Sequence, residues 1–285
     1  MTILLDEIYR LSYLARRLEP NQYKPPSIDK KPYTIEIRPK IKVENSHCIL
    51  EKFNANHFVI LKQNNPEELL LEQLTTIFGN MLEQTPVKGS TVYAIESTRS
   101  NTTSTKNNTY QPLHSDRNFK PNPPKVIALQ CLQHSEQGGY TKLVYAKNIY
   151  QYVQRVAPNC LQNLFDQNAT TFYRKDRNSK ELRIIQYKKP IFYGLENDKV
   201  GISFNPMMSK IESTAKIEQL YRLISYFVSK PKNQLTFQLQ RGETLVADNY
   251  ALLHARTAFP ADGGRLLRRA WYDATATKLE LGFDV

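Results

Sequence analysis

Short apolar runs separated by polar turn residues recur along most of the chain, and this pattern predicts β-strands. The predicted strands cover residues 57–61, 126–132, 142–145, 183–187, 235–239, 244–247 and 266–272. Two stretches, about 66–82 and 211–229, space their apolar residues at helical intervals instead. A third helix is predicted within residues 1–18, followed by a proline-rich extended stretch to about residue 40.

Many short strands with a few covering helices predict a mainly β fold with an antiparallel sandwich or barrel core, as in jelly rolls. The chain has no internal repeat and no long low-complexity linker. We therefore expect a single domain over residues 1–285, with an N-terminal helix and extended arm over about residues 1–40. Residues 99–111 are almost entirely Ser, Thr, Asn and Lys, which predicts a surface loop.

Composition places the chain among ordinary globular proteins, with 285 residues, of which 40% are hydrophobic and 23% charged. Its three cysteines are far apart and form no C-x-x-C pair, so a reducing compartment is expected. No run approaches the roughly 18 apolar residues that span a bilayer. The sequence therefore favours a cytoplasmic protein without a membrane partner.

The formal net charge of +12 raises the question of nucleic-acid binding. The lysines and arginines are dispersed, however, and no nucleic-acid-binding signature accompanies them. A basic surface that attracts anions explains the charge more simply. Nucleic acid is thus an unlikely partner, and salt-dependent binding of oligonucleotides would distinguish the two interpretations.

The first candidate metal ligands lie in the stretch Leu113-His114-Ser115-Asp116. If this stretch is extended, His114 and Asp116 project from the same face and can reach one metal ion. Taken alone, such a pair is more often structural. Of the other histidines, His254 follows an apolar stretch that can face the core, whereas His57 suits a structural role. Two histidines and one carboxylate leave three positions open on an octahedral iron(II), as in non-haem iron oxygenases.

Two arginines follow at eleven and fifteen residues after His254, namely Arg265 and Arg269. In a strand both side chains project from one face, and a buried guanidinium needs an anionic partner. The guanidinium fork matches a carboxylate in bidentate fashion. A dicarboxylate that chelates iron at one end and meets arginine at the other satisfies this demand, whereas surface acidic residues are the simpler alternative.

These residues resemble the taurine dioxygenase-like (TauD/TfdA) family of iron(II)/2-oxoglutarate dioxygenases. The resemblance rests on two blocks and extends weakly over most of the chain. The first block runs from Leu113-His114-Ser115-Asp116 through Pro123-Pro124 to Gly138-Gly139-Tyr140-Thr141. The second consists of residues 242–249, Leu253-His254-Ala255-Arg256-Thr257 and residues 265–269. Ala255 departs from the glycine of many relatives, which is a small change.

The resemblance implies a double-stranded β-helix core of the jelly-roll, cupin-like kind. It implies the iron(II) ligands His114, Asp116 and His254. It further implies that Thr141 and Arg265 bind the distal carboxylate of 2-oxoglutarate, and that Arg269 contacts the co-substrate or an anionic substrate. Molecular oxygen is the second co-substrate. The carboxylate of Asp116 argues against halogenation, because related halogenases replace it with a small residue.

The expected reaction is oxidation, in the first place hydroxylation, of an unactivated C–H bond in a small polar metabolite. Four side chains near the ligands are candidates for substrate contact: Tyr110, Arg117, Asn118 and Arg256. Their cationic and amide groups favour an amino acid or an amino-acid-derived biosynthetic intermediate, free or tethered to a carrier. A desaturating, cyclising or isonitrile-forming oxidase has the same ligands. A nucleic-acid-directed oxygenase or binding module that uses the basic surface is the alternative from another class.

Overall fold

The computed structural model describes residues 34–37, 43–65, 70–84, 89–96, 108–175, 184–206, 211–261 and 263–285. The predicted N-terminal helix and most of the arm lie outside the described residues, as does most of the predicted loop at 99–111. No helix in these ranges is both long and apolar enough to cross a membrane.

The strands of the described residues carry the fold. In chain order they are β1 Thr34–Ile37, β2 Phe58–Gln63, β3 Val92–Glu96, β4 Gln111–His114, β5 Val126–Gln133, β6 Thr141–Tyr145, β7 Thr170–Lys175, β8 Ile184–Lys189, β9 Phe192–Gly194, β10 Val200–Ile202, β11 Ile211–Glu212, β12 Leu235–Phe237, β13 Glu243–Asp248, β14 Leu252–Arg256 and β15 Leu266–Tyr272. The helices are α1 Val43–Asn56, α2 Leu70–Gln73, α3 Thr75–Phe78, α4 Ala146–Val156 and α5 Ala215–Ser229. Three 3-10 helices lie at Pro158–Phe165, Glu196–Asp198 and Pro231–Asn233.

Two sheets form the body of the protein. The larger has the strand order β1-β2-β13-β5-β15-β3, and the smaller has the order β12-β6-β14-β4. Pairing is antiparallel except between β1 and β2. Strands that are adjacent in space are mostly distant in sequence, as a double-stranded β-helix requires. The predicted fold class, mainly β with covering helices around such a core, is confirmed.

Alternation along each strand separates the two faces of the sheets. On β15, Leu267 and Trp271 point into the apolar cluster between the sheets, whereas Ala270 and Tyr272 join the cluster on the outer face. Helices α1 to α3 pack on that outer face. Helices α4 and α5 cover the outer face of the smaller sheet. The central strands of both sheets are thus covered on their two sides, and most side chains between the sheets are buried.

The predicted helices begin and end differently in the structure. The helix expected at 66–82 is replaced, in its described part, by the short α2 and α3, which end at Gly79 with φ at +86°. The helix expected from residue 211 begins at Ala215, because the Thr214 hydroxyl accepts a hydrogen bond from the Ile217 amide and caps it there. Residues 211–212 instead form β11.

Candidate metal centre

Two histidines lie side by side on neighbouring strands of the smaller sheet. His254 in β14 is the direct cross-strand partner of His114 at the end of β4, and their ring centres are 4.3 Å apart. Both side chains are buried. The Nδ1 atom of His114 lies 2.8 Å from the Pro112 carbonyl oxygen. A carbonyl can only accept, so Nδ1 carries the proton and the lone pair is on Nε2. The Gln111 amide nitrogen lies 3.3 Å from this Nε2, so a metal would replace that contact.

Asp116 reaches the two histidines from a turn and not from a strand. The expectation of an extended stretch over 114–116 is wrong, because β4 ends at His114 and a turn follows. Asn249 fixes this turn: its Oδ1 accepts from the Asp116 amide at 2.8 Å, and its Nδ2 donates to the Asp116 carbonyl at 3.0 Å. The Oδ1 atom of Asp116 then lies 3.5 Å from Nε2 of His114 and 3.7 Å from Nε2 of His254.

The geometry and charge of these three groups suit a divalent ion. Two cis ligand atoms about 2.1 Å from one octahedral ion are about 3 Å apart, close to the spacings found. Burial, followed by the nearby His114, lowers the pKa of His254 to about 3, so its ring is neutral at neutral pH. Burial alone raises the pKa of Asp116, but the charge of Arg269 and the two histidines outweigh it and hold that pKa well below its usual range. A neutral imidazole and an ionised carboxylate are the forms that bind metal.

The second oxygen of Asp116 has its own partners on β15. Trp271 donates its indole N–H to Oδ2 at 2.7 Å, and Nη1 of Arg269 lies 3.2 Å from the same oxygen. The Nε of Arg269 donates to Oε1 of Gln84 at 2.9 Å. The guanidinium carbons of Arg117 and Arg269 lie over the indole ring, 4.3 and 4.2 Å from its centre. One carboxylate oxygen is thus directed at the histidines and the other is engaged by donors.

A narrow cavity of about 30 Å³ opens between the sheets beside His254. All three residues predicted to bind the co-substrate border it, and its lining includes Gln111, Thr141, Arg256, Arg265 and Arg269. Burial lowers the pKa of Arg265 to about 10 and that of Arg256, next to Arg265, to about 9. No acidic side chain of the described residues forms an ion pair with Arg265.

The Gly138-Gly139 turn packs closely against the side chain of Arg265. Both glycines have positive φ, +69° and +67°. A Cβ atom on Gly139 would lie 3.2 Å from Cδ of Arg265, and one on Gly138 would clash with the Ala258 carbonyl at 2.1 Å. The backbone therefore approaches Arg265 as closely as glycine allows. This turn connects β5 to β6 and so aligns Thr141 with the arginine.

The four predicted substrate residues differ in their surroundings. Arg117 stacks on Trp271 beside the metal ligands, and Arg256 borders the cavity while donating to the Thr109 carbonyl at 2.8 Å. Asn118 is buried and its amide contacts the Ser203 hydroxyl at 3.4 Å. The ring of Tyr110 lies 5.8 Å from Nζ of Lys142. Arg117 therefore contacts a neighbour of the metal ligands, and Arg256 is part of the cavity lining.

Sequence comparison decides the family. The model of the family described as "Taurine catabolism dioxygenase TauD, TfdA family" matches residues 26–271, which is most of the chain. The chain belongs to the TauD/TfdA family. This confirms the predicted family and, for the matched residues, the predicted enzyme class of iron(II)- and 2-oxoglutarate-dependent dioxygenases.

Curated TauD/TfdA relatives match about half of the chain. A trimethyllysine dioxygenase of Meyerozyma guilliermondii is 24% identical over 157 residues, which are 51% of this chain and 38% of that protein. The 3-((Z)-2-isocyanoethenyl)-1H-indole synthase of Fischerella ambigua is 25% identical over 178 residues, 55% of this chain and 61% of that protein. The chain therefore spans less than two thirds of the length of these relatives.

Solved structures agree with the fold. The non-haem iron oxygenase OrfP in complex with iron and 2-oxoglutarate superposes with a TM-score of 0.64 at 16% identity, covering 85% of this chain and 87% of that one. An asparagine oxygenase in complex with Fe(II), hydroxyasparagine and succinate gives 0.62 at 14% identity, covering 82% and 85%. PvcB of Pseudomonas aeruginosa gives 0.63 at 18% identity, covering 90% and 92%. At these identities the likeness supports the double-stranded β-helix alone.

Proposed function

We propose that the whole protein is an iron(II)- and 2-oxoglutarate-dependent dioxygenase that oxidises an amino acid or an amino-acid-derived intermediate, in the first place by hydroxylation. One observation carries this proposal. Three buried side chains from distant parts of the chain, His114, Asp116 and His254, present their ligand atoms within 4.8 Å of one another. Beside them lies a cavity whose basic side chains suit a dicarboxylate.

In this proposal the three side chains hold iron(II) on one face. Bound iron and 2-oxoglutarate together supply the activation of oxygen that oxidises an unactivated C–H bond. The three side chains would hold the ion from one side, and their burial between the sheets keeps them out of water. The ionised Asp116 offsets part of the charge of the ion, and the Asn249 hydrogen bonds keep its turn in place.

We assign the distal carboxylate of 2-oxoglutarate to Arg265 and Thr141. A guanidinium fork binds a carboxylate with two parallel hydrogen bonds, and a hydroxyl adds one more. Burial penalises the charge of Arg265, and an anionic ligand removes that penalty. Because the cavity has a volume of only about 30 Å³, a five-carbon diacid requires the bordering side chains to move outward.

The substrate class rests on the charges at the rim and on the names of the relatives. Once Arg265 and a ferrous ion are counted as well, Arg117, Arg256 and Arg269 would provide more positive charge than Asp116 and 2-oxoglutarate neutralise, which favours a substrate with a carboxylate. One curated relative is named for trimethyllysine, an amino-acid derivative. Another is named as an isocyanoethenyl-indole synthase, so an isonitrile-forming outcome is the main alternative; desaturation and cyclisation use the same ligands.

Substrate-dependent release of succinate tests this proposal. The full chain, loaded anaerobically with iron(II), is supplied with 2-oxoglutarate, oxygen and a panel of amino acids, each free or attached to a carrier protein. One group of related amino acids should raise succinate release well above the uncoupled rate, and mass spectrometry of its product separates a gain of one oxygen from a loss of hydrogen. A panel without any stimulation would contradict the substrate class, and an enzyme that never consumes 2-oxoglutarate would contradict the enzyme class.

Location and partners belong to the same proposal. The three free cysteines, Cys48, Cys131 and Cys160, agree with a cytoplasmic site of action. A small molecule, free or tethered, is the expected partner. If the +12 charge served a nucleic-acid substrate instead, oligonucleotides would raise succinate release and bind with a strong salt dependence.

A further inference from the structure

The two oxygens of the Asp116 carboxylate have different partners. Oδ1 faces the two Nε2 atoms of the histidines, at 3.5 and 3.7 Å. Oδ2 faces β15, where the Trp271 indole N–H and the Arg269 guanidinium donate to it at 2.7 and 3.2 Å. We propose that Trp271 is a positioning residue that restricts Asp116 to binding the metal through Oδ1 alone. This inference rests on the proposed function, since it concerns the same metal.

The hydrogen bonds on Oδ2 explain the restriction. A carboxylate can bind a metal through one oxygen or through both. Turning Oδ2 of Asp116 toward the ion would withdraw it from two donors that are enclosed between the sheets. Leaving such a buried donor unpaired costs about 1–3 kcal/mol, and more when it is charged. Binding through Oδ1 alone would leave one more position on the ion for the co-substrate and oxygen.

The indole itself is held in place from several sides. The guanidinium carbons of Arg117 and Arg269 lie within 4.3 Å of its ring centre, a distance at which the cation–π attraction is favourable. Gln84 in turn fixes Arg269, since it accepts from the guanidinium at 2.9 Å and donates to the Arg269 carbonyl at 2.7 Å. Trp271 is 3% exposed, so bulk water does not compete with it as the donor to Asp116.

Trp271 also differs from its neighbour on the strand, which provides a matched control. Tyr272 is fully buried and donates its hydroxyl to the Leu71 carbonyl at 2.6 Å, on the outer face of the larger sheet. Each of the two aromatic residues buries one polar hydrogen that meets one acceptor. Only the acceptor of Trp271 is a metal-ligand carboxylate. Replacing each by phenylalanine removes the polar hydrogen and keeps an aromatic ring.

Anaerobic calorimetric titration of the metal-free full chain with iron(II) tests the proposal. Trp271→Phe should weaken iron binding about ten- to hundredfold, the usual effect of removing a hydrogen bond to a ligand. The visible spectrum of the cobalt(II)-loaded variant should change as the carboxylate gains freedom to bind through both oxygens. Tyr272→Phe should lower the melting temperature while leaving the iron affinity and the cobalt spectrum unchanged. Equal affinities and spectra for wild type and Trp271→Phe, or equal loss of affinity in both variants, would overturn the proposal.

Two further results separate this inference from the function on which it rests. If the wild-type chain takes up no iron(II), the proposed function fails; if it does and Trp271→Phe matches it, only the inference fails. Trp271 is the single tryptophan of the chain, so its emission in the wild type reports on this hydrogen bond without any substitution. Titration with zinc(II), which does not quench through unpaired electrons, should shift that emission with saturation at one equivalent. An unchanged emission at saturating zinc would count against the proposal even if Trp271→Phe cannot be purified in folded form.

Discussion

The two faces of β15 are both buried but have different chemistry. On the outer face, Ala270 and Tyr272 pack with apolar side chains beneath the helices. On the inner face, Arg269 and Trp271 form hydrogen bonds with the carboxylate of Asp116. The period of two along the strand therefore separates residues that stabilise the sheet from residues that hold the candidate site. Substitutions on the outer face should lower stability, and substitutions on the inner face should lower ligand affinity.

The largest loss of iron affinity is expected on β14, where one face likewise carries a site residue and the other face carries apolar residues. His254→Ala removes one of three metal ligands and should abolish measurable iron(II) binding in calorimetry. Leu253→Ala, one residue earlier, leaves a cavity in the apolar cluster between the smaller sheet and helices α4 and α5. It should lower the free energy of unfolding by about 2–5 kcal/mol. Its iron stoichiometry should remain that of the wild type under conditions where it is folded. Iron binding that survives in His254→Ala would contradict the assignment of ligands.

The next largest effect, on the affinity for 2-oxoglutarate, is expected at the arginines near β15. Arg265→Gln should weaken 2-oxoglutarate binding about a hundredfold, because it replaces a buried charged fork by a neutral amide, a loss of about 3 kcal/mol. Arg268 occupies a position whose side chain points to the other face, so Arg268→Gln is the control with the same charge change. Fluorescence titration of each iron-loaded variant with 2-oxoglutarate gives the two dissociation constants. Equal losses in the two variants would mean that only the overall charge matters.

A smaller effect is expected at the glycine that lies against Arg265. Gly139→Ala forces a residue with φ of +67° to carry a Cβ atom 3.2 Å from Cδ of Arg265. Backbone strain of about 1–2 kcal/mol and displacement of the arginine should raise the dissociation constant of 2-oxoglutarate about tenfold.

Gly89 provides the control for strain alone. Its φ is +82°, and an added Cβ would meet nothing within 4 Å. Gly89→Ala should therefore lower the melting temperature without changing 2-oxoglutarate affinity. If both alanine variants bind the co-substrate like the wild type, the contact with Arg265 has no part in binding.

The smallest effect should come from the hydroxyl of Thr141. Thr141→Val keeps the shape of the side chain and removes one hydrogen bond, so 2-oxoglutarate affinity should fall about fivefold, or about 1 kcal/mol. Thr236→Val is the matched control, since the buried Thr236 hydroxyl has no hydrogen-bond partner in the described part of the chain. That variant should bind 2-oxoglutarate normally and be at least as stable as the wild type. The reverse order of affinities would place the distal carboxylate elsewhere.

The parts of the site that follow from local periodicity could be predicted from the sequence. Alternation along a strand predicts Arg265 and Arg269 on the same side, and both border the same cavity, although Arg265 lies just before β15 begins. The strand-rich pattern likewise predicted the fold class. Local patterns also misled: Asp116 reaches the histidines because the chain turns after His114, and not because it stays extended. The order of the strands, which makes His114 and His254 direct partners, comes from long-range pairing.

The supporting residues could not be predicted because their contacts join distant segments. Gln84 meets Arg269 across 185 positions, and Asn249 meets Asp116 across 133. Contacts over such long separations leave no pattern in the nearby sequence. Glutamine and asparagine are mostly surface residues, so neither side chain is expected to support a buried site. The sequence places Trp271 only within the predicted strand at 266–272. Its hydrogen bond depends on the turn that brings Asp116 over β15.

One ferrous ion and one 2-oxoglutarate should bind together at His114, Asp116 and His254. Anaerobic titration of the metal-free chain with iron(II), then with 2-oxoglutarate, tests it through the visible charge-transfer band of the chelate. We expect the band to appear with one iron and one 2-oxoglutarate per chain, and to be lost in His254→Ala. A wild-type chain that binds iron yet gives no band, or a His254→Ala variant with the same band, would contradict binding at these three residues.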